Sequence, residues 1–308
     1  MRARYPVAFC SALAMAGCSQ PSPRLSSLIM DGRTQDIVSR RWSAGEINAK
    51  TTNEIELRGK KFKLVDGTAM HLAAAYAQPR ILAYLIESGG NVAALDSLMR
   101  TPLSYAGVAG CQVCANHLVA AKADVNHPDN MGNTPLMLAS ARSQLQTVLT
   151  LLAHRADPLR QNKNGDTALM QACLSSVLMT AGGLLEGKTG ASLLRALPPP
   201  PPETASVVTV LTKVSNIEEE NLTGLRAVHF AVSGNNLEAL RILGKAGANL
   251  QAKDHKGLTA LHYCALLGRV ACATMLLKMG ASNQTTDSGG RRPVDFAQEA
   301  DMKALLRD

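Results

Sequence analysis

A period of 33 residues restricts what this chain can fold into more than any other feature. Segments beginning Thr68-Ala-Met-His, Thr101-Pro-Leu-Ser, Thr134-Pro-Leu-Met and Thr167-Ala-Leu-Met start 33 residues apart, as do Arg226-Ala-Val-His, Thr259-Ala-Leu-His and Arg292-Pro-Val-Asp. The one irregular step, Thr167 to Arg226, spans 59 residues, a period plus an insertion of 26. Self-similarity at this length marks units too small to bury a core alone, which must therefore stack.

The residue types within a period have physical reasons. Thr at the first position can cap a helix, and Pro or Ala follows where a missing N–H costs nothing. The sixth position is small (Ala73, Ala106, Ala139, Ala172, Ala231, Cys264, Ala297), as close helix packing requires. The eighteenth is apolar: Leu85, Leu118, Leu151, Val210, Leu243, Leu276. Gly89, Gly247 and Gly280 suit left-handed helix ends. Asp or Asn and then Gly close the unit at Asp129/Gly132, Asn162/Gly165, Asn221/Gly224, Asp254/Gly257 and Asp287/Gly290. Each unit is a helix, a turn, a second helix and a protruding loop.

Composition agrees. Aromatics are 3% of the chain against 46% apolar residues, so the core is built from Leu, Ala, Val, Ile and Met, which favours packed helices over a β-sandwich. Charge is uneven. Residues 1–66 hold 11 Lys+Arg and 6 Asp+Glu, and residues 67–308 hold 21 and 18. The nearly neutral body lacks the concentrated basic face of a nucleic-acid binder. No stretch supplies the ~18 apolar residues of a spanning helix.

Thr259-Ala-Leu-His, Gly247-Ala-Asn-Leu and Asp254-His-Lys-Gly, recurring in register, resemble ankyrin repeats over roughly residues 26–308. The resemblance implies an all-α ankyrin-repeat solenoid. Lys122, Arg155 and Val214 depart from it at the cap glycine, and Met99 at a turn glycine. It also implies that the histidines at position four (His71, His229, His262) are structural, bridging neighbouring turns.

Residues 1–25 read as a tail. A capping unit follows over 26–48, with Arg40 and Arg41 on a solvent face, and residues 290–308 form the C-terminal cap. Residues 49–66 are an insertion in which 54–65 alternate around Arg58-Gly59. This predicts a β-hairpin with a basic tip of Arg58, Lys60, Lys61 and Lys63. A second insertion, about 175–205, holds five prolines at 198–202.

Three patterns suggest chemistry. Gly182-Gly-Leu-Leu-Glu-Gly187-Lys188-Thr189 fits the phosphate-loop pattern, but with no preceding strand to present it we read no nucleotide site. Arg195, Pro198 and Pro201 fit Arg-x-x-Pro-x-x-Pro, which resembles ligands of Src-homology polyproline-binding domains. Cys111, Cys114, His117 and His127 invite zinc, yet Cys114 and Cys272 share one repeat slot, while Cys173 and Cys264 fill small-residue slots. We read packing cysteines and expect no metal and no cofactor. No Ser, Asp or Glu recurs beside the histidines in a hydrolytic arrangement, so we expect no enzyme.

The fifth position is the most informative row: Leu72, Tyr105, Leu138, Gln171, Phe230, Tyr263, Phe296. The ankyrin resemblance puts this slot on the concave face. The expectation is that Tyr105, Leu138, Phe230, Tyr263 and Phe296 are exposed anchors for a protein partner. The alternative is that each ring covers its neighbour's helix. Lys253, His255, Lys256, Arg291 and Arg292 would add a basic rim. Function is then expected to be that of a monomeric, non-enzymatic scaffold or adaptor.

Residues 1–18, ending Met15-Ala-Gly-Cys18, resemble a bacterial lipoprotein signal with Cys18 lipidated. Pro6, Cys10 and Ser11 thin the apolar stretch, and five other cysteines would stand without evident pairing in an oxidising space. The expectation is a cytoplasmic protein. The alternative is an envelope lipoprotein in the periplasm or on the outer membrane, with a structural or protective role.

Overall fold

The computed structural model describes residues 23–57, 60–174, 201 and 203–307. Those residues form an all-α solenoid of paired helices carrying one two-stranded sheet. The capping unit contributes α1 (Pro23–Met30), α2 (Thr34–Val38) and α3 (Ala44–Asn48). Strands β1 (Thr51–Leu57) and β2 (Lys60–Gly67) follow. Helix pairs then succeed one another: α4 (Ala69–Ala75) with α5 (Pro79–Glu87), α6 (Pro102–Ala109) with α7 (Gln112–Ala120), and α8 (Pro135–Ala141) with α9 (Leu145–Ala153). Next come α10 (Ala168–Leu174) with α11 (Glu203–Thr212), and α12 (Ala227–Ser233) with α13 (Leu237–Lys245). The last pairs are α14 (Ala260–Leu267) with α15 (Val270–Lys278), and α16 (Pro293–Phe296) with α17 (Ala300–Arg307).

First helices form one layer, each packing on the first helices of neighbouring units, in the order α4, α6, α8, α10, α12, α14, α16. Second helices form a parallel layer in the order α5, α7, α9, α11, α13, α15, α17. The sixth-position residues at this seam are buried in every unit, as backbone-close packing demands. Caps form as their residues dictate: the Thr101 and Thr134 hydroxyls accept the N–H groups of Ser104 and Met137, each at 3.3 Å.

The insertion after Leu174 leaves the stack unbroken, because α11 packs against both α9 and α13 while α10 meets α12 directly. This unit departs from strict 33-residue register. Val207, Val208 and Leu211 are its buried residues, and Val210, the residue predicted at the eighteenth position, is half-buried. From Leu211 to the closing Asn221 is one residue less than from Leu118 to Asp129 or from Leu243 to Asp254. The missing residue is the left-handed one. Met99, Lys122 and Arg155 do adopt positive φ (58°, 67° and 64°) where glycine was expected, whereas Val214 does not. A β-branched residue resists that region most, and deletion removes the need for it. The N–H groups of Val214 and Ser215 both close on the Leu211 carbonyl instead, at 3.1 and 2.9 Å.

The hairpin forms in the predicted place and extends beyond it at both ends. Ile55 pairs with Phe62 and Leu57 with Lys60; Ile55 and Leu64 are buried, with both strands against α4. The backbone register sets Lys63 opposite Glu54 and Lys61 opposite Glu56. Arg58 lies outside the described residues. In the cap, Trp42 is buried and donates its indole N–H to the Ile37 carbonyl at 3.0 Å. Arg40 and Arg41 are exposed, with Arg40 over the Trp42 ring.

Candidate functional site

Between units the chain projects a finger, and one device builds each finger. An Asp or Asn turns its Oδ1 back onto two backbone N–H groups, two and four residues on. Asp254 takes those of Lys256 and Leu258 at 2.9 and 2.8 Å, and Asp96, Asp129, Asn162, Asn221 and Asp287 repeat the geometry. Each finger tip also donates one backbone N–H to the carbonyl of the finger before it. The series runs Ser97 to Val65, Asn130 to Leu98, Lys163 to Met131, Leu222 to Asn164, His255 to Thr223 and Ser288 to Lys256, at 2.9–3.1 Å. The hairpin supplies the first carbonyl, Val65, so the insertion acts as the first finger. Glycine is required along this ladder: a Cβ on Gly224, at φ +80°, would stand 2.7 Å from the His255 nitrogen.

The histidines at position four lock units together. His71 Nδ1 accepts the Thr68 N–H at 3.0 Å, and its Nε2 donates to the Arg100 carbonyl of the next unit at 3.0 Å. His262 does the same between Thr259 and Arg291, at 3.1 Å each. Burial pushes the pKa of His71, His229 and His262 down, favouring the neutral ring this geometry needs.

The aromatic row sits against these histidines. Tyr105 meets His71 edge to face with ring centres 5.7 Å apart, Tyr263 meets His229 at 5.6 Å and Phe296 meets His262 at 5.6 Å. The expectation of exposed anchors is therefore corrected for two rings. Tyr105 is 4% exposed and Phe230 9%, and the Tyr105 ring is covered where it packs on His71 of the unit before it. Leu138, Tyr263 and Phe296 remain half-buried. The tyrosines carry a function the sequence reading missed: Tyr105 Oη donates to Asp96 Oδ2 at 2.7 Å and Tyr263 Oη to Asp254 Oδ2 at 2.8 Å. Each ring thus tethers the finger anchor nine residues before it, and that recurring Asp-to-Tyr spacing was the available signal. Burial keeps both phenols protonated as donors.

All five rim residues are exposed, but their commitments differ. Arg291 forms a two-point bond to Asp287, at 3.0 and 2.8 Å, and lies over the Phe296 ring at 4.5 Å. Arg292 donates to Gln284 Oε1 at 3.0 Å, and Lys253 Nζ to the Thr286 carbonyl at 2.8 Å. His255 and Lys256 stand at one finger tip. A carboxylate cluster stiffens the neighbouring loop, where Glu218 and Glu220 clasp Arg226 from two sides.

Cys111 and Cys114 are joined by a disulfide, which corrects the reading of both as packing thiols without a pair. Cys111 caps α7 and Cys114 is buried beneath it. Among the described residues no group of His, Cys, Asp and Glu has a metal-binding arrangement, and no helix is long and apolar enough to cross a membrane. Pro201 is exposed just before α11. Arg195, Pro198, the phosphate-loop pattern and Cys18 lie outside the described residues.

A family model described as ankyrin repeats (3 copies) matches residues 113–193 and 203–287, more than half of the chain. No curated protein matches the sequence. Among solved structures, the ankyrin repeat domain of Bcl-3, described as a unique member of the IkappaB protein family, aligns with a TM-score of 0.60 at 22% identity. That alignment covers 79% of this chain and 99% of that one. The human ASB11 ankyrin repeat domain aligns with a TM-score of 0.63 at 21% identity, covering 78% of this chain and 97% of that one. At such identities the likeness is one of fold.

Proposed function

The chain belongs to the ankyrin repeat family, and from that premise we propose that it is a non-catalytic scaffold that captures a protein partner on its concave face and finger tips. Ankyrin repeats mediate contacts between proteins, and the finger ladder is what carries the finer reading here. A backbone bond at every step, from Val65 to Ser288, holds the tips in one rigid row. A pre-organised row loses little entropy on binding. In its last units the row presents Lys253, His255, Lys256, Arg291 and Arg292 beside half-buried Tyr263 and Phe296. That combination suits an acidic segment carrying an apolar side chain. Panning a random peptide library against the whole chain is expected to enrich such segments. Enrichment of basic or purely apolar peptides would contradict the reading.

A second reading keeps the same array but tethers it to a bacterial envelope through lipidated Cys18. The cysteines favour it. Cys111 and Cys114 are paired, and Cys173, Cys264 and Cys272 are buried, a distribution that tolerates an oxidising space. Intact mass of the membrane fraction tests it. A chain beginning at acylated Cys18 supports the tether, and an uncleaved soluble chain supports the cytoplasmic location.

A further inference from the structure

The last residue of the turn between the two helices of a unit caps the second helix. In α5, α9, α13 and α15 that residue is Gln78, Gln144, Asn236 or Arg269, and in α7 it is Cys111. Among the described units α7 is the one that pairs a capping sulfur with a second cysteine three residues on. We propose that Cys111 and Cys114 form a reversible thiol–disulfide exchange site, in which Cys111 meets an external thiol and Cys114 serves as the resolving partner.

Four observations support it. First, the two residues differ in access: Cys111 keeps 8% exposure beside Val113 at 49%, whereas Cys114 is fully buried. Second, Cys111 Sγ accepts the Cys114 backbone N–H at 3.1 Å at the start of a nine-residue helix. That bond and the helix dipole would stabilise a thiolate there. Third, the crosslink closes a ring of only four residues, and chain entropy gains little from so short a loop. The same turn is held independently by the Gly110 and Cys111 N–H groups on the Ala106 carbonyl and by Ala115 on Cys111. A bond whose removal leaves the backbone fixed can cycle without unfolding the array. Fourth, among the described residues burial raises the thiol pKa of the other three cysteines, Cys173, Cys264 and Cys272, the last to about 11.

The exchange balances with an external monothiol of the glutathione class. Its thiolate attacks Cys111 Sγ, the Cys111–Cys114 bond breaks, and the electron pair passes to Cys114, which takes a proton. A second thiolate attacks the external sulfur of the mixed disulfide. This releases the Cys111 thiolate and an external disulfide, so the pair gains two electrons and the thiols lose them. The site lies at the edge of the stack away from the finger tips, because first helices begin at the fingers and end at this turn.

The test uses the full chain. Reduction by glutathione at neutral pH is expected to leave the far-ultraviolet circular dichroism unchanged. Iodoacetamide should then label Cys111 more than about tenfold faster than Cys173, Cys264 or Cys272, whose burial holds their thiols protonated. Incubated with oxidised glutathione, Cys114→Ala, an exchange for the residue found in the same slot at Ala239, should collect one glutathione on Cys111 as one glutathione thiolate leaves. A pair that resists reduction until the chain unfolds, or a folded Cys114→Ala chain that collects no glutathione, would overturn the proposal.

Discussion

At the residue scale the array depends on side chains that bond both ways between units. Each position-four histidine accepts a cap N–H on Nδ1, and His71 and His262 donate through Nε2 to the next unit's carbonyl. Accepting on Nδ1 requires the neutral ring. The folded pKa lies below the ordinary value of about 6.5, so their contribution is complete above about pH 6.5 and is lost as pH falls toward the depressed value. Urea unfolding midpoints should therefore drop between about pH 7.5 and about pH 5.5, and drop less in a His71→Gln, His262→Gln chain. Equal midpoints in the wild type would remove the histidines from the account. Finger glycines make a sharper contrast. Gly224→Ala should cost more than about 2 kcal/mol by chemical denaturation, since both its φ and its Cβ are obstructed. Met99→Gly should stabilise by about 1 kcal/mol by relieving a left-handed side chain. The sequence pointed to these positions because left-handed backbone selects glycine. It did not show which side of its neighbour an aromatic takes. Phe230 was legible as a member of the row, but its burial depends on the helix next door, so Phe230→Ala now reads as a packing mutation.

At the element scale the two insertions behave differently. The hairpin was legible from alternation and a central Gly, and it joins the array by offering Val65 to the first finger. Its register was not legible, because alternation does not show that Glu54 and Glu56 pair with Lys63 and Lys61. The second insertion hid a one-residue deletion after Leu211, since a 59-residue step does not reveal where its extra residues lie. Helix α11 already stacks on α9 and α13, so cutting out residues 177–199 should leave a single cooperative melt. Midpoints should hold or rise, as each halving of a connection returns about 0.6 kcal/mol. A broad or split transition would mean that the excised residues support α11.

For the whole molecule, the period alone carried the fold: units of 33 residues with small seams and apolar second helices can only stack, and two layers of helices do so. The geometry of the proposed binding surface was legible in part. Its finger positions follow from the Asp-to-Gly turns, but which cations stay available depends on bonds such as Arg291 to Asp287 that no pattern announces. The central claim is that a partner is held at the tips and inner helices of the last units. The most direct measurement takes an acidic peptide enriched by panning and titrates it against Lys256→Glu with Arg292→Glu, and separately against Val113→Glu with Leu149→Glu on exposed second-helix positions. The account predicts that the first pair weakens binding by about 2 kcal/mol or more, roughly thirtyfold, while the second changes it less than about twofold. Loss of binding in the second pair with the first unaffected, both chains keeping the wild-type helical signal, would contradict it.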